Sequence, residues 1–229
     1  MTKNAETIVI SVGGSLIAPK GLDIGFLKGF KSLIVKHVKR GKRFVIITGG
    51  GRTSRNYQDA ARAVGKLSDL DLDWLGIHGT RMNAHLFSTI FRDYSHWKFI
   101  KDPTKRARLD DPVIIAGGWK PGFSTDYDAV ILARQFKAKK IINLSNIDYA
   151  YDKDPNKHPD AKKLETISWK NFRKLVGNKW HPGLSAPFDP VASKECEKEG
   201  MTVYIVNGKD LKNVDDLINK KEFIGTTIV

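Results

Sequence analysis

The chain has 229 residues, 41% of them hydrophobic, with 39 Lys+Arg against 25 Asp+Glu and a formal net charge of +14. That length allows one large domain or two small ones, and the apolar share is enough for a substantial core, which excludes a low-complexity or disordered chain. The lone cysteine, Cys196, excludes an intrachain disulfide, and no apolar run approaches the length of about 20 residues that a membrane-spanning helix requires.

In chain order, Met1 to Glu6 is polar and lacks the basic stretch and apolar core of a secretory signal, so a cytoplasmic protein with no membrane partner is expected. Thr7-Ile8-Val9-Ile10-Ser11-Val12 is β-branched and apolar and breaks at Gly13-Gly14-Ser15, which predicts a strand and then a glycine turn. Phe26, Phe30, Leu33, Ile34 and Val38 fall at helical spacing, so an amphipathic helix is expected over about residues 24–40, with Lys39-Arg40-Gly41 as its stop. Phe44-Val45-Ile46-Ile47 then drives through Thr48 into Gly49-Gly50-Gly51, with Arg52 and Arg55 at the start of a helical pattern. Residues 54–64 carry Tyr57, Ala60, Ala61 and Val64 on one face of that helix. A longer helical pattern runs from Leu70 to Tyr94, interrupted by Gly76 and Gly79, small residues that would permit close helix–helix approach.

Trp97 to Asp111 mixes Lys98, Lys101, Lys105, Arg106 and Arg108 with Asp102, Asp110 and Pro103. The interspersed acids favour a surface connection or short edge strand over a nucleic-acid platform, so nucleic acid is not expected as a partner. Across the chain, the basic excess fits an anionic partner or a lysine-rich solvated exterior; its scatter among acids favours the exterior. Pro112 to Ala116 is the next strand, followed by Gly117-Gly118, the segment Trp119 to Thr125 and a helix through Phe136. Ile141 to Leu144 is a strand ending in Ser145-Asn146-Ile147-Asp148, and Tyr151 to Lys163 reads as a loop. Helices are expected from Ser168 as N-cap to Val176, after Asp189-Pro190, and over Leu211–Ile218. Thr202 to Val206 is a strand, and Thr226 to Val229 is placed to close the sheet.

Strands alternate with helices from end to end, which predicts an α/β fold whose mainly parallel central sheet is covered on both faces, in a single domain spanning residues 1–229. Three apolar strands each run into glycines, at 13–14, 49–51 and 117–118. Ligands of such sheets sit beyond the carboxyl ends of the strands, and three glycine turns on one edge would surround a polyphosphate with backbone donors. No stretch reads G-x-x-x-x-G-K-[ST] or G-x-G-x-x-G. Phosphoryl transfer needs positioning and charge neutralisation, which glycine turns, arginines and a carboxylate supply.

Taken in order, Gly13-Gly14-Ser15, Thr48-Gly49-Gly50-Gly51 with Arg55, Asp73-Trp74-Leu75-Gly76-Ile77, Thr80-Arg81-Met82-Asn83-Ala84, Gly117 to Asp126, Ser145-Asn146-Ile147-Asp148 with Tyr151 and Asp154-Pro155, and Gly225-Thr226-Thr227-Ile228 span almost the whole chain. This set resembles the amino-acid kinase superfamily and, within it, the archaeal type of uridylate (UMP) kinases. The resemblance implies a three-layer α/β/α sandwich and transfer of the ATP γ-phosphate to UMP. ATP and Mg²⁺ are the implied cofactors, the metal held mainly through ATP phosphates, and a homohexamer is the implied assembly. By resemblance, Gly13, Gly14, Ser15, Gly51, Arg55, Ser145, Asn146, Tyr151 and Asp154 would bind ATP. Gly50, Asp73 and the wrap Trp119, Lys120, Pro121, Gly122, Phe123, Ser124 and Thr125 would bind UMP. Asp126 would orient the reacting groups, and because Ser11 brings no charge, neutralising the transferred phosphate would fall to Arg52, Arg55, Lys120 or the metal.

Three positions depart from the family pattern. Ser11 stands where many relatives place a lysine, Tyr149 where they place glycine, and Trp119 is larger than the usual residue. Ser11 and Tyr149 leave open a non-catalytic nucleotide or oxyanion binder on the same fold, and the superfamily also offers other small acceptors. An isopentenyl phosphate kinase would carry a histidine shortly after the triple glycine; here the next is His78.

Overall fold

The computed structural model describes residues 6–105, 110–155, 157–179, 184 and 186–229. The first half runs β1 (Thr7–Val12), α1 (Gly14–Ile17), α2 (Ile24–Val38), β2 (Arg43–Thr48), α3 (Gly51–Val64), α4 (Asp69–Ile90), β3 (Val113–Ala116) and α5 (Thr125–Gln135). The second runs β4 (Lys140–Ser145), β5 (Ala150–Tyr151), β6 (Lys163–Leu164), β7 (Thr166–Ile167), α6 (Trp169–Val176), α7 (Pro190–Glu199), β8 (Thr202–Asn207), α8 (Leu211–Ile218) and β9 (Thr226–Ile228). Seven strands form one sheet in the order β3-β2-β1-β4-β8-β9-β7. All pairs are parallel except β8 with β9.

The strand sequences read as near-continuous apolar runs because both faces of the sheet are covered. Side chains alternate, so Ile8, Ile10 and Val12 pack with α2, α4 and α8, whereas Val9, Val45 and Ile47 pack with α5, α6 and α7. Phe30, Phe44, Phe87, Phe91, Phe172 and Phe188 are among the fully buried side chains. Each such ring contributes roughly 1.5–3 kcal/mol of burial. The three-layer sandwich expected from the sequence is therefore present. By the same alternation Ser11 faces the α5 layer, which matters below.

Local signals explain most helix ends. Ser68 caps α4 in a capping box with Asp71, and Ser168, Asp189 and Asp210 accept from the third residue of their helices. Gly76 and Gly79 do not break α4, which runs unbroken over 22 residues. A Cβ at Gly79 would sit 2.1 Å from Ser54 Oγ, so the missing side chain lets α3 and α4 touch. The stretch after α4 is in part an edge strand, since Ser95 and Ile100 bridge to Val113 and Ala116 and so cover the exposed edge of β3. Arg106 and Arg108 of that stretch lie outside the described residues. The loop expected from Tyr151 to Lys163 is closed at its base by the antiparallel pair β5–β6.

Two details differ from the sequence reading. The first glycine turn is itself the start of a helix, with Gly13 as N-cap of α1, and α3 begins inside the triple glycine at Gly51. The apolar face of α3 does not turn to the core: Tyr57 is 63% and Val64 91% exposed, and only Ser54 is buried in that helix. The helix lies outside the sheet layers against α4, so its apolar stripe points outward.

Candidate active site

β1 and β2 end side by side, in register from Thr7↔Arg43 to Val12↔Thr48, and their glycines meet directly. A Cβ on Gly14 would lie 1.9 Å from Gly51 N, and one on Gly51 would lie 2.0 Å from Gly14 O. Gly51 has φ +61, the left-handed conformation that glycine adopts without penalty. The two turns thus form one backbone junction. Gly49 N–H donates to Val12 O, Gly13 N–H donates to Leu144 O, and Asn83 Nδ2 donates to Gly49 O at 2.7 Å. No side chain caps α1 or α3, so at this junction two helix starts present main-chain donors, of which Arg52 N–H is taken by Ala18 O at 3.0 Å.

Beside the junction lies a cavity of about 500 Å³ bordered by Ser145, Asn146, Tyr151 and Asp154, four residues that the resemblance assigns to ATP. A Cβ on Gly13 would lie 3.8 Å from Ser145 Cα, which places this cavity next to the first glycine turn. Phe172 and Leu175 of α6 and Pro187 also line it; sequence reasoning assigned the first two only to a helix and gave Pro187 no role. Tyr149 does not line it. That ring turns to another hollow shared with Glu165 and Gly225, where Lys163 Nζ sits 4.9 Å from its centroid. Among the described residues only Lys137 and Lys220 combine a side chain with positive φ, so Tyr149 occupies a backbone conformation that needs no glycine.

On the other side, the segment from Gly118 to Thr125 is held by side chains of α4 and α5. Thr80 Oγ1 accepts from Gly118 N–H at 2.7 Å, Arg81 donates to Gly118 O and Trp119 O, and Asp128 Oδ2 accepts from Trp119 N–H at 3.0 Å. Asp73 Oδ2 accepts from Gly122 N–H at 2.7 Å, so this residue, expected to bind UMP, is engaged with the wrap itself. Burial raises the Asp73 pKa, opposed by that hydrogen bond. Trp119 packs on Phe123 at 5.0 Å and Phe123 on Tyr127 at 4.7 Å, and Lys120 Nζ lies 4.1 Å from the Trp119 ring. The large Trp119 is thus absorbed into a ladder of rings. Ser124 caps α5 by accepting from Tyr127 N–H, leaving Thr125 as its first residue and Asp126 in its first turn.

Asp126 sits where these parts meet. Its Oδ1 accepts from Ser11 Oγ at 3.0 Å and its Oδ2 from Asp189 N–H at 3.2 Å. Burial pushes its pKa to about 7, with the like charge of Asp189 adding to the effect and the two hydrogen bonds opposing it. Asp189 and Asp128 are buried and also raised, chiefly by burial, and each keeps one carboxylate oxygen without a hydrogen-bond partner. In sequence Asp189 reads only as a helix N-cap, and Asp128 has no role. Among the described residues no group of three His, Cys, Asp or Glu could hold a metal ion.

The arginines are not gathered with Asp126. Arg52 Nη2 lies 3.8 Å from Asp59 along α3, and Arg55 is exposed on the same helix. Gly50, the N-cap of α3, faces Ser54 and Gly76, on the α4 side of the junction.

With the geometry established, comparison with known proteins adds identity by descent. The model of the amino acid kinase family matches residues 6–207. A uridylate kinase of Methanocaldococcus jannaschii is 34% identical over 230 residues, covering 97% of this chain and 98% of that protein. A uridylate kinase of Methanococcoides burtonii is 33% identical over 217 residues, covering 92% and 90%. The crystal structure of uridylate kinase from Archaeoglobus fulgidus superimposes with a TM-score of 0.83 at 27% identity, covering 97% of this chain and 99% of that one.

Proposed function

The chain belongs to the amino acid kinase family and, within it, to the uridylate kinases of archaeal type, and from that premise we propose that it transfers the γ-phosphate of ATP to UMP, giving UDP and ADP. The observation that carries the reading is the backbone junction of Gly14 with Gly51, which separates a nucleotide-sized cavity from a wrapped segment and keeps Asp126 between them.

On the donor side, Ser145, Asn146, Tyr151 and Asp154 border adenosine, and the phosphates run toward Gly13, Gly14, Ser15 and Gly51. On the acceptor side, Gly50, Asp73 and the wrap from Trp119 to Thr125 hold UMP. A phosphate oxygen of UMP attacks the γ-phosphorus, the bond to the ADP oxygen breaks, and the protein's share of catalysis is alignment and charge. Asp126 orients the reacting end through its fixed partners Ser11 and Asp189. Because Ser11 supplies no positive charge, Arg52, Arg55 and Lys120 carry that load, the two arginines by turning from the outer side of α3. UMP binding exchanges the Gly122 N–H on Asp73 for a ribose hydroxyl.

Asp126 and the unpartnered oxygen of Asp189 offer hard oxygen donors suited to Mg²⁺, but too few for a protein-held site among the described residues, so the ion would be held mainly through the nucleotide phosphates. When bound, it neutralises phosphate charge. The same reading makes the protein a cytoplasmic homo-oligomer, a hexamer by family resemblance. Tyr57, Val64, Leu70, Trp74 and Met82, exposed on α3 and α4, support a subunit contact there.

The test is ADP release with UMP, CMP, AMP, acetylglutamate and isopentenyl phosphate as acceptors. Turnover is expected with UMP; turnover with another acceptor and none with UMP overturns the assignment, and none with any favours a nucleotide binder.

A further inference from the structure

At the amino ends of β1 and β4, roughly five residue steps of about 3.3 Å from the glycine junction, lies a second and larger cavity of about 720 Å³. Its inner wall is apolar: Ile8, Ile142 and Leu217 with the rings of Phe136, Tyr204 and Phe223. Its rim is basic, carrying Lys137, Lys139, Lys140, Lys220 and Lys221 against a single acid, Glu6. Neither feature takes part in the kinase reading.

The backbone singles out two of these lysines. Lys137 (φ 55) and Lys220 (φ 61) are the only non-glycine residues with positive φ among the described residues, and both line this cavity. Each follows the C-cap of a helix in the same geometry. Lys137 N–H donates to Arg134 O and Ala138 N–H to Ala133 O after α5; Lys220 N–H donates to Leu217 O and Lys221 N–H to Asp216 O after α8. Glycine is the usual residue there, and the chain uses it after α7, at Gly200 (φ 58). A lysine in that place has a conformational cost. Its charge at a helix C-terminus recovers some of it, but that accounts for two lysines of the five. Two helix ends of about half a negative charge each, together with Glu6, leave the cavity at about +3. Glu6 binds Lys42 and Lys220, Lys221 lies 3.7 Å from Asp216, and Lys139 Nζ donates to Glu199 O. Lys137 and Lys140 have no ion-pair partner among the described residues and remain available.

We propose that this cavity is a second ligand site, taking an organic anion with a flat apolar body and a phosphate- or carboxylate-type head. The body lies on Phe136, Tyr204 and Phe223, and the head meets Lys137 and Lys140. The volume is that of a small-molecule pocket, and strain retained where glycine is available is a mark of a functional position. The site lies at the opposite strand ends from the nucleotide junction, so its occupancy is separable from turnover.

The experiment is lysine acetylation footprinting of the full chain, read residue by residue by mass spectrometry, with 1-naphthyl phosphate, 1-naphthoate or inorganic phosphate present. The better-protecting aryl anion identifies the head. We expect it to slow acetylation of Lys137 and Lys140 by about fivefold or more, with Lys28 and Lys31 unchanged and inorganic phosphate giving less than about twofold. Lys137→Gly should weaken binding of that probe about tenfold in calorimetry while leaving the melting temperature equal or higher. No protection by either aryl anion, equal protection by inorganic phosphate, or unchanged affinity in Lys137→Gly each overturns the proposal.

Discussion

Ser11 Oγ donates to Asp126 Oδ1 at 3.0 Å, joining the end of β1 to the first turn of α5 across 115 positions of sequence. A lysine at the same place would bring charge to the transferred phosphate. Serine instead fixes the carboxylate, which retains Asp189 N–H as a second partner. Ser11→Ala therefore removes one of two restraints and should lower kcat less than about tenfold, whereas Asp126→Asn should lower it by about a hundredfold or more. Steady-state kinetics with UMP and ATP distinguish them; equal losses would give Ser11 a direct role.

The Asp126 carboxyl also sets a pH dependence of stability. Its pKa is raised from 3.8 to about 7 in the folded chain, so between those values the folded state holds more protons than the unfolded one. This group's contribution is fully favourable below about pH 4 and declines as pH rises toward 7. Asp126→Asn keeps both hydrogen bonds, its amide oxygen accepting from Asp189 N–H and its amide N–H donating to Ser11 Oγ. The variant should therefore lose part of the fall in melting temperature between about pH 5 and 8 and be no less stable than wild type at about pH 8. A variant that melts lower at the alkaline end would mean the ionised carboxylate is a stabilising group.

The sheet and its helices were legible because apolar runs and helical spacing are local signals, and the helix starts at Ser168 and Asp189 followed from residue type. The site was legible only where a motif stands in line. Ser145, Asn146, Tyr151 and Asp154 line one cavity, but its Phe172, Leu175 and Pro187 wall comes from elements well along the chain, beyond any spacing rule. Asp128 and Asp189 read as helix-start charges. Only the packing of α5 against β1 and of α7 against α5 buries them near Asp126. The outward face of α3 defeated periodicity for a different reason: an apolar stripe specifies burial against something, and among the described residues of one chain Tyr57 and Val64 stay exposed.

Asp73, proposed on the acceptor side, already has a partner within the chain. Its Oδ2 holds Gly122 N–H at 2.7 Å, so a UMP hydroxyl bound there as proposed would either displace the wrap or use the other carboxylate oxygen. Asp73→Asn should raise the KM for UMP by about tenfold or more and leave the KM for ATP within about twofold, because only one nucleotide uses this group. Parallel increases in both would place Asp73 in the general folding of the wrap.

The exposed apolar face of α3 makes a prediction about assembly. Val64 is 91% and Tyr57 63% exposed, more than a solvated helix needs. If a second copy covers them, Tyr57→Glu with Val64→Glu should shift the sedimentation profile to smaller species without lowering the helical circular dichroism signal. An unchanged profile would place the subunit contact elsewhere.

The junction of the two glycine turns should be the least tolerant backbone in the molecule. Gly51→Ala would require a side chain at φ +61 and put its Cβ 2.0 Å from Gly14 O, a backbone atom that cannot rotate away. The strain and the displaced turn together should cost about 3 kcal/mol or more, which for a chain of this size lowers the melting temperature by about 6–12 °C. Gly21→Ala supplies the control, since nothing lies within 4 Å of where its Cβ would stand and its φ is not positive. That variant should melt within about 2 °C of wild type. On the proposed placement of donor and acceptor phosphates at the junction, any Gly51→Ala protein that folds should lose affinity for both nucleotides. Retained binding of ATP and UMP in a folded Gly51→Ala protein would move the phosphates away from this contact.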